Sequence, residues 1–396
     1  MNLSNENRLL LYCAQTSIPD DTLNKVKDIL SFSLNWEEVL ESAFSHGVAP
    51  LLCHNLKKIQ KSKLIPEKVM HKLKKAYYGN VASNMYLYAE LKRILEAFNE
   101  KGVDVILLKG AALAKTVYGD IGLRPMSDID LLVKKEDLAY AKKIMPDLEY
   151  VFAPDKRNEE WREKNHYHLP PYIQPDKNIV VEIHWHITGN SFRINIDEWW
   201  EMAKVIKIDN CQALIPSPED MLIHICLHLY NHSYNEFTLR GLCDILETLR
   251  YYRKEINWQL FQDKIGKYKI NKPVYTMLYF VKEINNDDSL SWIKPNSVNL
   301  KLLTLIEKRI LGEDDVHSDI PFQLVQSIAV DKFSRNVKVF LNIIFPTREE
   351  MVNRYQVSCS SKKIYFYYLI RPFYLIFKYG KFILKILLLK KYSRGS

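Results

Sequence analysis

Apolar residues recur at helical spacing through most of the first hundred positions, above all in the run from Asn35 to Leu56 and in the long run from Pro66 to Gly102. That periodicity predicts an N-terminal helical region over residues 1–100, with Gly102 closing the long helix. The texture then changes. VDVILLKG, ending at Gly110, reads as a short strand, AALAKTVYG as a helix, and DIDLLV at 128–133 as a second strand. A helix from Lys135 to about Met145 and a strand near Leu148 to Phe152 follow. NHYHLPPYIQ and NIVVEIHWHI, separated by the turn residues PDKN, predict a hairpin. In IPSPEDM, Ser217 is placed to cap a helix with Pro218 at its first position, and helical patterning returns through about residue 286. The final third is helical as well, with a weaker pattern.

The expected fold class is therefore α/β, a small mixed sheet flanked by helices, with a helical unit before it and a mostly helical region after it. The boundaries read from the pattern are 1–100, a core at 101–210, a helical region at 211–360 and a basic aromatic and aliphatic segment at 361–396. A length of 396 residues with 47% hydrophobic side chains accommodates two or three packed units.

The net charge of +9 changes little about the body. Nine Lys or Arg and no acid lie between Ser361 and Ser396, so the first 360 residues carry 47 basic and 47 acidic side chains. A formally neutral body argues against a broad phosphate-tracking surface, and nucleic acid is not the favoured partner. The six cysteines never form a close pair and read as reduced thiols. The opening residues lack the basic and long apolar regions of a secretory signal, so a cytoplasmic location is expected.

The chemistry is concentrated in acids on strands. Residues two apart in a strand face the same way, so Asp128 and Asp130 project from one face of DIDLLV while Ile129, Leu131 and Val133 point to the core. Two such acids repel unless a cation neutralises them, and magnesium is held by one or two carboxylates together with substrate phosphates. Glu182, flanked by Val181 and Ile183, would be costly on a strand unless it faced a polar site, which makes it the natural third ligand and a support for a second ion. Gly110 stands between a strand and a helix, where backbone N–H groups can approach a triphosphate. Lys109 and Arg124 supply positive charge to the same phosphates, with Ser127 beside Asp128 as a further hydrogen-bonding group.

These residues carry a resemblance. The Lys109-Gly110 pair, Arg124, the SDIDLLV run and VEIHWH are similar to a bacterial group of largely uncharacterised nucleotidyltransferases within the DNA polymerase beta-like superfamily. SHGVAPLL, HLYNH, LRGLCDIL, IIFPTREEMVNRY and YLIRP extend the likeness over most of the chain. The resemblance implies metal binding by Asp128, Asp130 and Glu182, triphosphate contact around Lys109 and Gly110, two Mg2+ ions and an NTP substrate. It also has departures: Ala111 follows the glycine where Gly or Ser is usual, and the interval to Asp128 is longer.

Other features admit two readings each. His184 shares a strand face with Glu182 and is a candidate substrate contact, whereas His186 is better read as structural. His224, His228 and His232 recur every four residues, a geometry that can bind zinc, but their neighbours are those of a packed helix without an HExxH pattern. Asp244 and Arg240 are left without a catalytic role. The segment from Lys362 to Tyr392 is too interrupted by charge to span a membrane. It reads as an amphipathic helix on an anionic membrane, as a cradle for RNA or a nucleotide acceptor, or as a packed helix with a solvated basic face, the last suiting its first half.

The expected function is transfer of NMP from an NTP to an unidentified acceptor, a small molecule first, with release of pyrophosphate. The alternatives are a tRNA or protein acceptor, and a non-catalytic binding or regulatory protein that keeps the fold.

Overall fold

A computed structural model describes residues 3–59, 64–153, 163, 166–189, 192, 194–232, 237–285, 288–310, 341, 344–355, 357–358 and 361–392. The chain divides into two compact units, Met1–Tyr230 with Phe237–Val298, and Asn231–Glu236 with Asn299–Ser396.

In the first unit, four short helices, α1 (Asn5–Cys13), α2 (Asp20–Ile29), α3 (Trp36–Ser45) and α4 (Ala49–Lys58), precede the 34-residue α5 (Glu67–Glu100). Sequence capping signals set several of the boundaries: Ser4 accepts from the backbone N–H of Asn7, and Asn35 from that of Glu38. Gly102, at φ +66°, ends α5 in a conformation that costs glycine nothing.

The sheet begins with β1 (Ile106–Leu107), followed by α6 (Lys109–Thr116), β2 (Asp128–Leu132), α7 (Leu138–Asp147), β3 (Val151–Phe152), β4 (Tyr172–Gln174) and β5 (Ile179–His184). After α8 (Asp197–Met202) it gains β6 (Lys204–Ile208) and β7 (Cys211–Ile215). The seven strands run in the order β3-β4-β5-β2-β1-β7-β6. β2 pairs in parallel with β5 and antiparallel with β1, and β1 pairs in parallel with β7, so the sheet is mixed as expected, with more strands than the pattern alone resolves. The hairpin is present: β4 and β5 pair antiparallel around Pro175–Asn178, and an isolated bridge from His168 to His184 extends it.

α5 lies against β2 and β7, and its polar residues fasten the long interval between α6 and β2. Asn84 donates to the carbonyls of Ile121 (2.6 Å) and Arg124 (2.8 Å), Asn80 to that of Gly122 (2.7 Å), and Tyr77 to the Asp120 carboxylate (2.8 Å). Gly122 permits this docking, since a Cβ there would stand 2.5 Å from Val81 and 2.7 Å from Tyr77. The length of the interval is thus taken up by a loop held on a helix, with its buried carbonyls paired.

α9 (Pro218–His232), α10 (Leu239–Tyr251), α11 (Trp258–Tyr268) and α12 (Asn271–Asn285) complete the first unit apart from the end of α9. Ser217 caps α9 through Asp220 (3.2 Å), with Pro218 at its first position. Trp199, Phe98 and Phe261 are among the largest wholly buried side chains, each contributing about 1.5–3 kcal/mol by its removal from water. All five described cysteines are buried and free.

The second unit contains α13 (Leu300–Ile310), α14 (Arg348–Tyr355) and the 30-residue α15 (Lys363–Tyr392). No helix among the described residues is long and apolar enough to cross a membrane.

Candidate active site

The parallel pairing of β2 with β5 decides the geometry. Asp128 stands opposite Val180, Asp130 opposite Glu182 and Leu132 opposite His184, so alternate residues of both strands gather acids on one face. The register places Asp130 beside Glu182. Asp130 is only 2% exposed, while Asp128 and Glu182 are half-buried toward solvent.

A buried carboxylate needs compensation, and Asp130 receives it twice. The Lys109 ammonium donates to its Oδ1 at 2.7 Å, and His184 Nε2 lies 3.0 Å from the same oxygen and 3.3 Å from Glu182 Oε2. Burial works against ionisation of Asp130, but Lys109 and His184 outweigh it and hold the carboxyl well below the usual range. Glu182 is lowered too, its burial offset by the His184 hydrogen bond. For His184, burial favours the neutral ring, yet the hydrogen bonds to Asp130 and Glu182 raise it above its ordinary value. Asp128 moves the other way: burial and the neighbouring Asp130 charge push it up. Three acids therefore share two cationic groups, which leaves room for additional positive charge.

The donor chemistry fits a hard divalent cation. Ligand atoms of Asp130, Glu182 and His184 all lie within 4.8 Å of one another, and among the described residues three such groups converge only here. The set takes in His184 beside two of the three acids singled out in the sequence, and leaves out Asp128. Asp128 stands next to it on the same face, with Ser127 Oγ 3.2 Å from its Oδ1.

Lys109 adopts φ +43° at the start of α6, a left-handed conformation rarely used by a long side chain, and in it the ammonium reaches Asp130. Gly110 follows, and its missing Cβ is filled space: a Cβ would lie 2.3 Å from Arg124 Nη1 and 2.8 Å from Met126 Cγ. The Arg124 guanidinium thus rests on the first turn of α6. Gly110→Ala is expected to displace Arg124 or Met126, lower stability by about 1–3 kcal/mol and weaken nucleotide binding. Thermal unfolding with and without NTP checks this; an unchanged ligand-induced shift would refute the link to binding.

Arg124 itself is not open to solvent. Nε and Nη2 donate to the two oxygens of Asp244 at 3.1 and 2.8 Å, and Tyr118 donates to the same carboxylate at 2.9 Å. Arg240 reaches the Pro125 carbonyl (3.3 Å) and is held below its ordinary value by burial and by Arg124, so two guanidiniums share the neighbourhood of one carboxylate. The sequence left Asp244 without a role. Its signal was an acid on the apolar side of LCDIL, which in a packed helix demands a partner.

The remaining histidines separate. His186 is bound to the backbone oxygens of Thr188 (2.8 Å) and Ile194 (3.0 Å), a structural arrangement. His224 is buried and pushed down to about 3, chiefly by burial and then by Lys109, so its ring is neutral; the α9 histidines form no ligating trio among the described residues. His168, not singled out in the sequence, lies with its ring 5.0 Å from that of His184.

A cavity of about 530 Å3 lies within the first unit, lined by Tyr167, Trp185, Phe192, Trp200, Lys134 and Lys135 among others. None of the three acids lines it; Tyr167 does, and its ring centroid lies 5.9 Å from that of His184. The Lys134 ammonium stands 5.5 Å over the Trp200 ring.

A mixed sheet that brings acids of two parallel strands together beside a strand-glycine-helix turn defines a nucleotidyltransferase class of site. Residues 33–286 match the profile of a family described as uncharacterised nucleotidyltransferase, and the chain belongs to that family. A crystal structure of an antigenic nucleotidyltransferase-like protein from Paracoccidioides brasiliensis is similar at 14% identity, over 46% of this chain and 88% of that one, with a TM-score of 0.28. No curated protein matches.

Proposed function

We propose that the chain is a magnesium-dependent enzyme that transfers NMP from an NTP to a hydroxyl of a small molecule. The acceptor oxygen bonds to the α-phosphorus, the bond from that phosphorus to the bridging oxygen breaks, and pyrophosphate leaves. The observation that carries the reading is the convergence of Asp130 and Glu182 in register, with Asp128 on the same face and Lys109 entering from the start of α6.

Asp128, Asp130 and Glu182 would hold the metal, with His184 fixing the orientation of Asp130 and Glu182. When bound there, magnesium supplies neutralisation of the charge that develops on the phosphoryl oxygens. Lys109, the first-turn N–H groups after Gly110 and the Arg124–Arg240 pair provide the positive field for the triphosphate. Glu182, the more exposed partner of the Asp130–Glu182 pair, would take the acceptor proton.

The cavity, whose wall includes Tyr167, supports a small acceptor, since about 530 Å3 is the scale of a small-molecule site. The neutral body also weighs against nucleic acid. The five described cysteines are free and buried, which supports a cytoplasmic location.

The test is incubation of the purified chain with each α-labelled NTP and magnesium, with and without cell extract. Label on a metabolite supports the reading, label on RNA or protein moves the acceptor class, and absence of both transfer and metal-dependent NTP binding favours a non-catalytic binding protein.

A further inference from the structure

Between Ile364 and Phe377, the C-terminal helix α15 has a covered side and, opposite it, an exposed apolar side. Ile364, Tyr368, Arg371 and Leu375 recur at intervals of four, three and four and form its inner stripe. Ile364 is fully buried, Tyr367 stacks on Tyr355 of α14 with ring centroids 4.1 Å apart, and Tyr368 donates to the Pro346 carbonyl at 2.6 Å. The covered side therefore has its partners within the second unit.

The other side is Phe366, Leu369, Ile370, Phe373, Ile376 and Phe377, also at helical spacing. Leu369 is 70% exposed, Phe373 74% and Phe377 92%. Single exposed apolar residues are ordinary, whereas six along three turns of one helix face are a costly surface for a chain in water. Of the three readings the sequence offers for this segment, a packed helix with a solvated basic face suits its first half; the exposed face there is apolar, because the helix carries more apolar residues than one packed side can use.

Charge identifies the occupant. Nine Lys or Arg and no acid lie between residues 361 and 396; Lys362 and Lys363 are exposed at the start of the apolar stripe, and Lys378 is exposed near its end, toward the side of the inner stripe. An exposed apolar stripe in a segment that carries cations and no acid fits an anionic lipid surface, where rings enter the acyl boundary and ammonium groups meet phosphate headgroups. We infer that α15 is a membrane-surface helix that holds the protein on anionic bilayers through the Phe366–Phe377 face.

The experiment is co-sedimentation of the full chain with vesicles of phosphatidylcholine alone, and of phosphatidylcholine and phosphatidylglycerol in equal parts. Binding to the mixed vesicles only, weakened by salt and lost to background in Phe373→Asp/Phe377→Asp, is the expected result. The substituted residues are exposed, so the variant should keep its far-UV circular dichroism and unfolding midpoint, which are measured alongside. No binding to the mixed vesicles, binding indifferent to lipid charge, or binding retained by the variant would each overturn the inference. A dimer in solution that the variant converts to monomer would assign the face to a second copy of the chain instead, and would equally overturn it.

Discussion

Asp130→Asn is expected to reduce nucleotidyl transfer about a thousandfold or more, a loss of ~4 kcal/mol in transition-state stabilisation. Asp130 is the acid on which the site converges: Lys109 and His184 both bind its Oδ1, and Glu182 stands opposite it in the sheet. The amide keeps the size and can still accept from Lys109, but it removes the negative charge that a divalent cation requires. It also leaves the half-buried Lys109 ammonium with a weaker partner, so the variant should lose stability as well as activity. Single-turnover transfer of label from the preferred NTP, measured beside thermal unfolding, separates the two effects. A folded Asp130→Asn protein that retained transfer within about tenfold of the parent would remove the carboxylates from the chemistry.

The same residues show what a sequence can disclose about this site. Acids at alternate positions of a strand declare their common face, because strand geometry has a period of two, and Asp128 and Asp130 were legible on that ground, Glu182 as an acid between Val181 and Ile183. The capping of α9 by Ser217 and the hairpin of β4 and β5 are likewise local, decided by residues within a few positions of one another. Register between β2 and β5 is not local. That Asp130 faces Glu182, and that the donor cluster includes His184, follows from a parallel pairing across more than 50 residues. Periodicity also left α15 open between a membrane-surface helix, an acceptor cradle and a packed helix, since it identifies an apolar face but not whether a partner covers it. Nor could Arg124 be placed: a basic residue near a phosphate-binding turn suggests an anion contact, and only the fold reveals that a carboxylate 120 positions away already holds it.

That last pairing gives the second large effect. Asp244→Ala is expected to destabilise the first unit by about 3–5 kcal/mol, the range for removing one partner from a buried ion pair. Arg124 and Asp244 are each almost wholly buried, and Tyr118 loses its acceptor at the same time. Burial opposes the charge on Arg124, and Asp244 more than offsets that opposition; without the carboxylate, the guanidinium must move to solvent or stay uncompensated. The double replacement Arg124→Met/Asp244→Leu removes both charges and should recover most of the loss, because apolar residues of similar volume commonly replace buried ion pairs at little cost. Urea unfolding at constant m value measures all three variants. Nucleotide affinity then separates structure from function. If Arg124 contributes only to folding, the stable double variant binds NTP as the parent does; if the guanidinium held over Gly110 is part of the triphosphate field, the double variant is stable and yet binds NTP weakly. The second result is the expected one, because the guanidinium lies at the start of α6, where only the missing Cβ of Gly110 leaves it room.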